Sequence, residues 1–283
     1  MKKIAVLGAN GQLGKTLQYL AKNTINTYTF YTKDYIDVTN KKSIESIFNT
    51  LNFDFCVNCS AYTNVEAAET YIDEAFAINA EGVKNIAEVC EANKTKLIHI
   101  STDYVFDGEK KEPYLANDKT NPINVYGASK LKGEFYIQET LKEHYIIRTS
   151  WLYSPYGKNF VKSIINKIDK DLMLNITTEE KGTPTSCIDL SEFIFHLIDK
   201  ESIPFGIFNF SAQGSTSWYG FAKEIAKQYD SNKEKNILPT DYFKTLANRP
   251  KYSVLDNSKT EEIYKRLAKW EKSVQVIVTD LKC

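Results

Sequence analysis

From the N-terminus, short unbroken apolar runs alternate with longer stretches whose apolar residues recur every three to four positions. Ile4–Leu7, Tyr28–Tyr31, Phe55–Cys59, Leu97–Ile100 and Tyr145–Arg148 read as strands of four to six residues. Between them, helical spacing runs through Leu13–Lys22, Lys42–Asn52, Glu74–Asn93 and Tyr126–Glu139. Strands joined by helix-length connections predict βαβ units and a parallel, doubly wound sheet. Because the strands are continuously apolar, both faces of that sheet should be covered.

Beyond Trp151 the rhythm changes. Helices are expected at Phe160–Lys170, Asp189–Ile198 and Trp218–Gln228, and a further strand at Ile207–Phe210. The stretch from Asp230 to Asp256 reads as irregular, and Arg266 as a surface residue in a charged helix. The expected fold class is α/β: a Rossmann-like doubly wound sheet over residues 1–152, with a smaller C-terminal lobe over residues 153–283. Segments near residues 187–211 should return to the sheet.

Composition narrows the class. The chain has 283 residues, with 36 Lys and Arg against 36 Asp and Glu. A neutral chain lacks the basic excess that drives non-specific nucleic-acid binding. There is no apolar stretch of the ~20 residues that a membrane helix requires. The five cysteines (56, 59, 90, 187 and 283) are odd in number and scattered, as expected in a reducing, cytoplasmic setting. Cys56 and Cys59 form a CxxC, but on a strand their thiols face opposite sides. Three histidines give no metal-spaced cluster, so no metal is expected. Only Arg148, Arg249 and Arg266 are arginines, against 33 lysines.

Two local patterns carry chemistry. Gly8-Ala9-Asn10-Gly11-Gln12-Leu13-Gly14 follows the first strand and opens a helix, so backbone amides there can approach a pyrophosphate. Its GxxGxxG spacing differs from the usual dinucleotide fingerprint. At the end of the second strand stand Thr32 and Lys33, where an acid would select NAD; a hydroxyl and an ammonium suit a 2′-phosphate better. NADPH is therefore expected, with NADH possible because of Asp34. Asp37-Val38-Thr39 reads as a turn near the adenine pocket.

The second pattern is Tyr126-Gly127-Ala128-Ser129-Lys130, in which Tyr and Lys share one helical face. A nearby ammonium favours the phenolate and lowers the tyrosine pKa from its ordinary ~10. Ser101-Thr102-Asp103-Tyr104-Val105-Phe106-Asp107-Gly108 follows the fourth strand, and its hydroxyl can bond a substrate carbonyl.

Glycine loop, strand-end hydroxyl and Tyr/Lys pair together resemble the extended short-chain dehydrogenase/reductase family. Further strings support it: Asp37-Val38-Thr39, Val57 to Glu66, Pro122 to Lys130, Arg148-Thr149-Ser150-Trp151, Gly182-Thr183-Pro184-Thr185, Thr216-Ser217-Trp218 and Arg249-Pro250. The family's Ala-Ala after the strand asparagine is Cys59-Ser60 here, and its usual Asp in the T-x-V-D string is Glu66.

The resemblance implies reduction of the C4 ketone of dTDP-4-dehydro-L-rhamnose to dTDP-L-rhamnose. Alternatives are another base, the other C4 epimer, or a non-catalytic regulatory subunit of the methionine adenosyltransferase type. It also implies roles: Tyr126 donates the proton, Thr102 holds the carbonyl oxygen, and Lys130 tunes Tyr126 and bonds the nicotinamide ribose. Gly8, Asn10, Gly11, Gln12, Leu13, Thr32, Lys33, Asp37, Val38, Cys59, Ser60, Ala61, Tyr62 and Asn79 would join Tyr126 and Lys130 around the cofactor. Asp103, Tyr104, Trp151 and Arg249 would join Thr102 around the nucleotide sugar, Arg249 gripping its diphosphate. The protein is expected as a monomer or homodimer.

Overall fold

The protein is described by a computed structural model covering residues 1–200, 202–241 and 244–282. Cys283, and two residues of the irregular stretch (242 and 243), lie outside the described residues.

Six parallel strands form the sheet: β1 (Lys3–Leu7), β2 (Thr27–Tyr31), β3 (Phe55–Asn58), β4 (Lys96–Thr102), β5 (His144–Thr149) and β6 (Gly206–Asn209). Their order is β2-β1-β3-β4-β5-β6. Direction of build reverses between β1 and β3, the place where a doubly wound sheet opens a crevice at its carboxyl edge.

Side chains alternate along each strand, and the two faces collect different partners. Ile4, Val6, Phe55, Val57 and Ile98 pack against Leu13 and Leu17 of α1 (Gln12–Ala21) and against Cys187 to Ile198 of a later helix. Ala5, Leu7, Cys56, Leu97 and Ile146 face α2 (Lys41–Phe48), α3 (Gly82–Ala92) and α4 (Val125–Thr140). Cys56 and Cys59 fall on opposite sides, as their spacing on a strand predicts.

The expected helix at Glu74–Asn93 is broken. Ile72–Phe76 is α-helical, Ala77–Glu81 widens into a π turn, and α3 resumes at Gly82. The π turn carries Asn79, whose side chain is buried, not solvated. It accepts from Tyr62 N (2.9 Å), donates to Tyr62 O (3.0 Å) and donates to Ser129 Oγ (3.0 Å).

Beyond β5, α5 (Phe160–Ile168) packs in a separate apolar cluster with α7 (Trp218–Tyr229) and α8 (Trp270–Lys282). Before α7, α6 (Cys187–Asp199) returns to cover the sheet, and β6 completes the sheet edge. Asn159, Ser186 and Ser217 cap α5, α6 and α7 by accepting from backbone amides. The stretch expected to be irregular holds a 3-10 turn at Ser231–Asn236 and a strand at Ile237–Thr240, paired in parallel with Leu174–Thr177. Helix α8 has no counterpart in the sequence reading, although Trp270, Val274, Ile277 and Val278 are spaced for burial and are buried. Arg266 is exposed, but in the connection between Ser258–Ile263 and α8, not in a helix.

A buried ion pair pins α4 to the sheet. The Arg148 guanidinium on β5 donates to Glu134 on α4 through Nη2 (2.7 Å) and Nε (3.0 Å), and Nη1 reaches Ala116 O (3.0 Å). Ser101 Oγ on β4 donates to the same carboxylate, and both charged side chains are almost wholly buried. Removing one partner strands a buried charge. Arg148→Met should therefore lower unfolding free energy by about 3–5 kcal/mol. The double change Arg148→Met/Glu134→Leu should recover much of that loss in urea titrations; a double variant no more stable than the single would refute the stranded-charge account.

Candidate active site

The crevice at the carboxyl edge opens into a cavity of about 630 Å³. Its walls bring together Asn10, Gly11, Gln12 and Leu13 from the glycine loop, Cys59, Ser60 and Ala61 after β3, and Thr102, Asp103 and Tyr104 after β4. Tyr126 and Lys130 of α4, Trp151 after β5, and Arg249 also line it.

Local sequence explains the approach of these parts. Gly8 has φ +77°, and a Cβ there would lie 2.6 Å from Ser60 N, so only glycine lets the two strand-end loops meet. Gly11 caps α1 without any side-chain bond to the first-turn amides. Those amides face the cavity mouth, where an anion is favoured. Gly127 lets α4 approach the β4 loop: a Cβ there would lie 2.1 Å from Tyr104 O. Asn124 caps α4, its Oδ1 accepting from Gly127 N at 2.7 Å, which fixes where Tyr126 enters the helix.

The polar core of the site is tightly bonded. Thr102 Oγ1 donates to Asp103 Oδ1 (3.0 Å) and accepts from Tyr104 N (3.1 Å). The Tyr126 and Tyr104 rings meet edge to face with centroids 5.9 Å apart. Burial pushes the Tyr126 phenol up to about 12, the Thr102 hydroxyl opposing and the Asp103 charge adding. The expectation that Lys130 would depress this value does not hold in this structure. Its amine turns instead to Ile100 O (2.6 Å) and His99 Nε2 (3.2 Å). Burial draws Lys130 down to about 8. A phenol that keeps its proton is in the right state to give it to a developing alkoxide.

Asp103 Oδ2 is buried without a hydrogen-bond partner. Burial pushes this carboxyl up to about 7, against hydrogen bonds from Ser253 and Thr102.

Seven of the expected cofactor residues stand away from the cavity wall: Gly8, Thr32, Lys33, Asp37, Val38, Tyr62 and Asn79. Thr32 and Lys33 follow β2, Thr32 half-buried and Lys33 exposed. Asp37 Oδ1 accepts from Thr39 N and Oγ1 in a local turn. Val38 is buried where a Cβ on Gly82 would touch it. Asn79 acts at one remove, by holding both backbone polar groups of Tyr62.

A family model described as the RmlD substrate binding domain matches residues 1–283. The chain belongs to that family. A dTDP-4-dehydrorhamnose reductase of Sinorhizobium fredii is 37% identical over 286 residues, covering 98% of this chain and 96% of that relative. Two crystal structures of dTDP-4-dehydrorhamnose reductases superpose closely. That from Clostridium acetobutylicum has TM-score 0.94 at 36% identity, covering 99% of this chain and all of the other. That from Bacillus anthracis, in complex with NADP, has TM-score 0.93 at 34% identity, covering 99% of both chains.

Within this RmlD-family site, the wall residues Trp218 and Lys158 had no role assigned from sequence. Trp218 stacks on Trp151 at 3.7 Å between ring centroids and 10° between planes, and donates through Nε1 to Glu180 Oε2 (2.8 Å). Its place in the Thr216-Ser217-Trp218 string was the available signal. Trp151 itself has φ +47°, a strained value for a bulky residue, and it lies against Gly182, where a Cβ would clash with the indole. Lys158 follows Gly157 (φ +67°) at the cavity wall. Arg249 is not a free guanidinium: Nη2 donates to Glu66 Oε1 at 2.8 Å, while its Nε is buried without a partner. Gln12 ties the glycine loop to the α5 entry, its Oε1 accepting from Asn159 Nδ2 at 2.9 Å.

A second, largely apolar cavity of about 220 Å³ adjoins the first. Trp218 and Arg249 line both, with Phe160, Ile176 and Glu180 on its far side.

The Asp103 ionisation predicts a pH effect. Its folded value is raised, so the unfolded chain ionises first, and stability falls as pH climbs from about 4 to about 7. Relative to wild type, Asp103→Asn should lack that fall, at about 1.4 kcal/mol for each pH unit between the two ionisations. Parallel stability curves for the two proteins from pH 4 to pH 7 would contradict it.

Proposed function

We propose that this protein reduces the C4 ketone of dTDP-4-dehydro-L-rhamnose to dTDP-L-rhamnose with NADPH. The observation that carries the reading is the convergence of Thr102, Tyr126 and Lys130 on one crevice, beside the uncapped N-terminus of α1. The glycine-loop cradle at Gly8 and the first-turn amides of Gln12 and Leu13, which no side chain caps, fit a dinucleotide pyrophosphate. NADPH, when bound, supplies the hydride. Thr32 and Lys33 at the end of β2 would receive its 2′-phosphate, and Ser60, Ala61 and Tyr62 would run along its length.

Thr102 Oγ1 would hold the carbonyl oxygen, and Tyr126 would deliver the proton to it as charge develops there. Lys130 would bond the ribose next to the reacting ring. Asp103, Tyr104 and Trp151 would border the sugar. Arg249, held by Glu66, would meet the diphosphate as part of a fixed ion pair, through guanidinium donors not spent on Glu66. The adjoining cavity lined by Phe160, Ile176 and Trp218 has the apolar, aromatic lining that suits a nucleobase. Residues 153–283 would mainly form this substrate side, with 187–211 serving the sheet.

Following NADPH oxidation at 340 nm with dTDP-4-dehydro-L-rhamnose tests the reading directly. Tyr126→Phe should lower kcat by about 10²–10⁴-fold while NADPH affinity stays within a few-fold of wild type. Near-normal turnover in that variant would remove Tyr126 from the chemistry, and faster rates with NADH than with NADPH would remove the role given to Thr32 and Lys33.

A further inference from the structure

Behind Lys130 lie two buried polar groups, Asn58 and His99, that the reaction as described does not use. Asn58 ends β3, His99 sits in the middle of β4, and Lys130 reaches in from α4. Asn58 and His99 are fully buried, and Lys130 is exposed by only 1%. Ser60 N donates to Asn58 Oδ1 at 3.0 Å, and Ser60 Oγ donates to the same oxygen at 2.5 Å. Asn58 Nδ2 lies 3.0 Å from His99 Nδ1, and His99 Nε2 lies 3.2 Å from Lys130 Nζ.

One backbone amide decides the protons in this line. Ser60 N–H can only donate, so the Asn58 oxygen must face it and the Asn58 NH₂ must face His99. His99 Nδ1 is then an acceptor, and the imidazole proton sits on Nε2. That N–H points at Lys130 Nζ. An ammonium has no lone pair to receive it, whereas a neutral amine does, and the amine still donates to Ile100 O.

We propose that His99 is a positioning residue for Lys130: locked by Asn58 in its Nε2–H form, it hydrogen-bonds the neutral Lys130 amine and so readies the lysine to release its proton. The inference rests on the reductase reading above. When Tyr126 gives its proton to the C4 oxygen, a phenolate remains. Lys130 ammonium can return that proton, becoming the neutral amine that His99 stabilises, and solvent restores the ammonium. No electrons move in this exchange.

Other groups facing Lys130 do not substitute for His99. Glu134, one turn along α4, is committed to Arg148 and Ser101. The Cys59 thiol is pushed up by burial and stays protonated, and the Tyr126 phenol keeps its proton in the resting site. Beyond His99, His144 on β5 is lowered by burial and engaged with Leu141 O. His99 itself is held neutral by burial and by Lys130.

The test uses the whole protein. In wild type, nitrogen NMR of the His99 imidazole should show Nε2 protonated and Nδ1 bare across neutral pH; the opposite tautomer overturns the proposal without need of activity. Asn58→Asp keeps the shape and the Ser60 bonds but accepts from Nδ1–H, which turns the bare Nε2 toward Lys130. The Lys130 ionisation, read both in the kcat–pH profile and from the lysine Nζ resonance lost in Lys130→Met, should then rise by at least one pH unit. Adding His99→Phe to Asn58→Asp should abolish most of that rise. An unmoved ionisation in Asn58→Asp, or a full rise persisting without His99, overturns the proposal. A wild type that shows the expected tautomer but never oxidises NADPH with the sugar would instead sink the reductase reading.

Discussion

The site depends on one buried fork. Arg148 on β5 and Glu134 on α4 are locked together out of water, with Ser101 on β4 bonded to the same carboxylate. Lys130 and Tyr126 lie one and two turns before Glu134 on the same helix, and Thr102 follows Ser101 directly. The pair therefore fixes the distance between the helix that carries Tyr126 and the strand that carries Thr102. Two bonds from a planar guanidinium set orientation as well as separation, which a lysine could not do. Gly127 lets the helix come this close to the loop after β4, since a Cβ there would strike Tyr104 O, and Gly133 does the same against Asn79 O of the π turn.

That closeness has an electrostatic consequence. Bringing α4 against β4 buries Lys130, Asp103 and the Tyr126 phenol together, and each is displaced toward its neutral form. In such a site a proton can move between groups without large charges forming in a poorly solvated space. The Arg249–Glu66 pair works differently, because it is half exposed at the cavity rim and keeps both charges. Charge is thus retained where a diphosphate would dock and suppressed where a ketone would react.

Much of this was legible in the sequence. The five strand runs before Trp151 fall on β1 to β5, because buried parallel strands leave an unbroken apolar signature. The return of residues near 187–211 to the sheet appears as α6 and β6. Less legible were features whose stabilising partner is remote. The π turn at Ala77–Glu81 has ordinary helical spacing, and only the contact of Asn79 with Tyr62 and Ser129 marks it. Helix α8 is amphipathic, but its apolar stripe matters only against α7 and Phe221, some fifty residues earlier. Local pattern likewise overestimated Lys130 as a neighbouring charge on Tyr126. Spacing put the two on one helical face, yet the Ile100 carbonyl and His99, both from β4, decide where the amine points.

The scarcity of arginine pointed at Arg249 as an anion ligand, and the structure divides the three arginines more finely. Arg266 is solvated and Arg249 guards the rim. Arg148 lies too deep to meet any ligand. A chain that uses lysine for nearly all of its cations reserves the guanidinium for two places where direction matters. At Arg148 the fork spends four hydrogen bonds on Glu134 and Ala116, so its charge is consumed by architecture. At Arg249 only Nη2 bonds Glu66 and the side chain stays partly exposed at the cavity it lines, so the same chemistry is left unfinished there. Rarity in composition therefore marks a geometric demand, and burial together with the count of unused donors tells whether the demand comes from the fold or from a ligand.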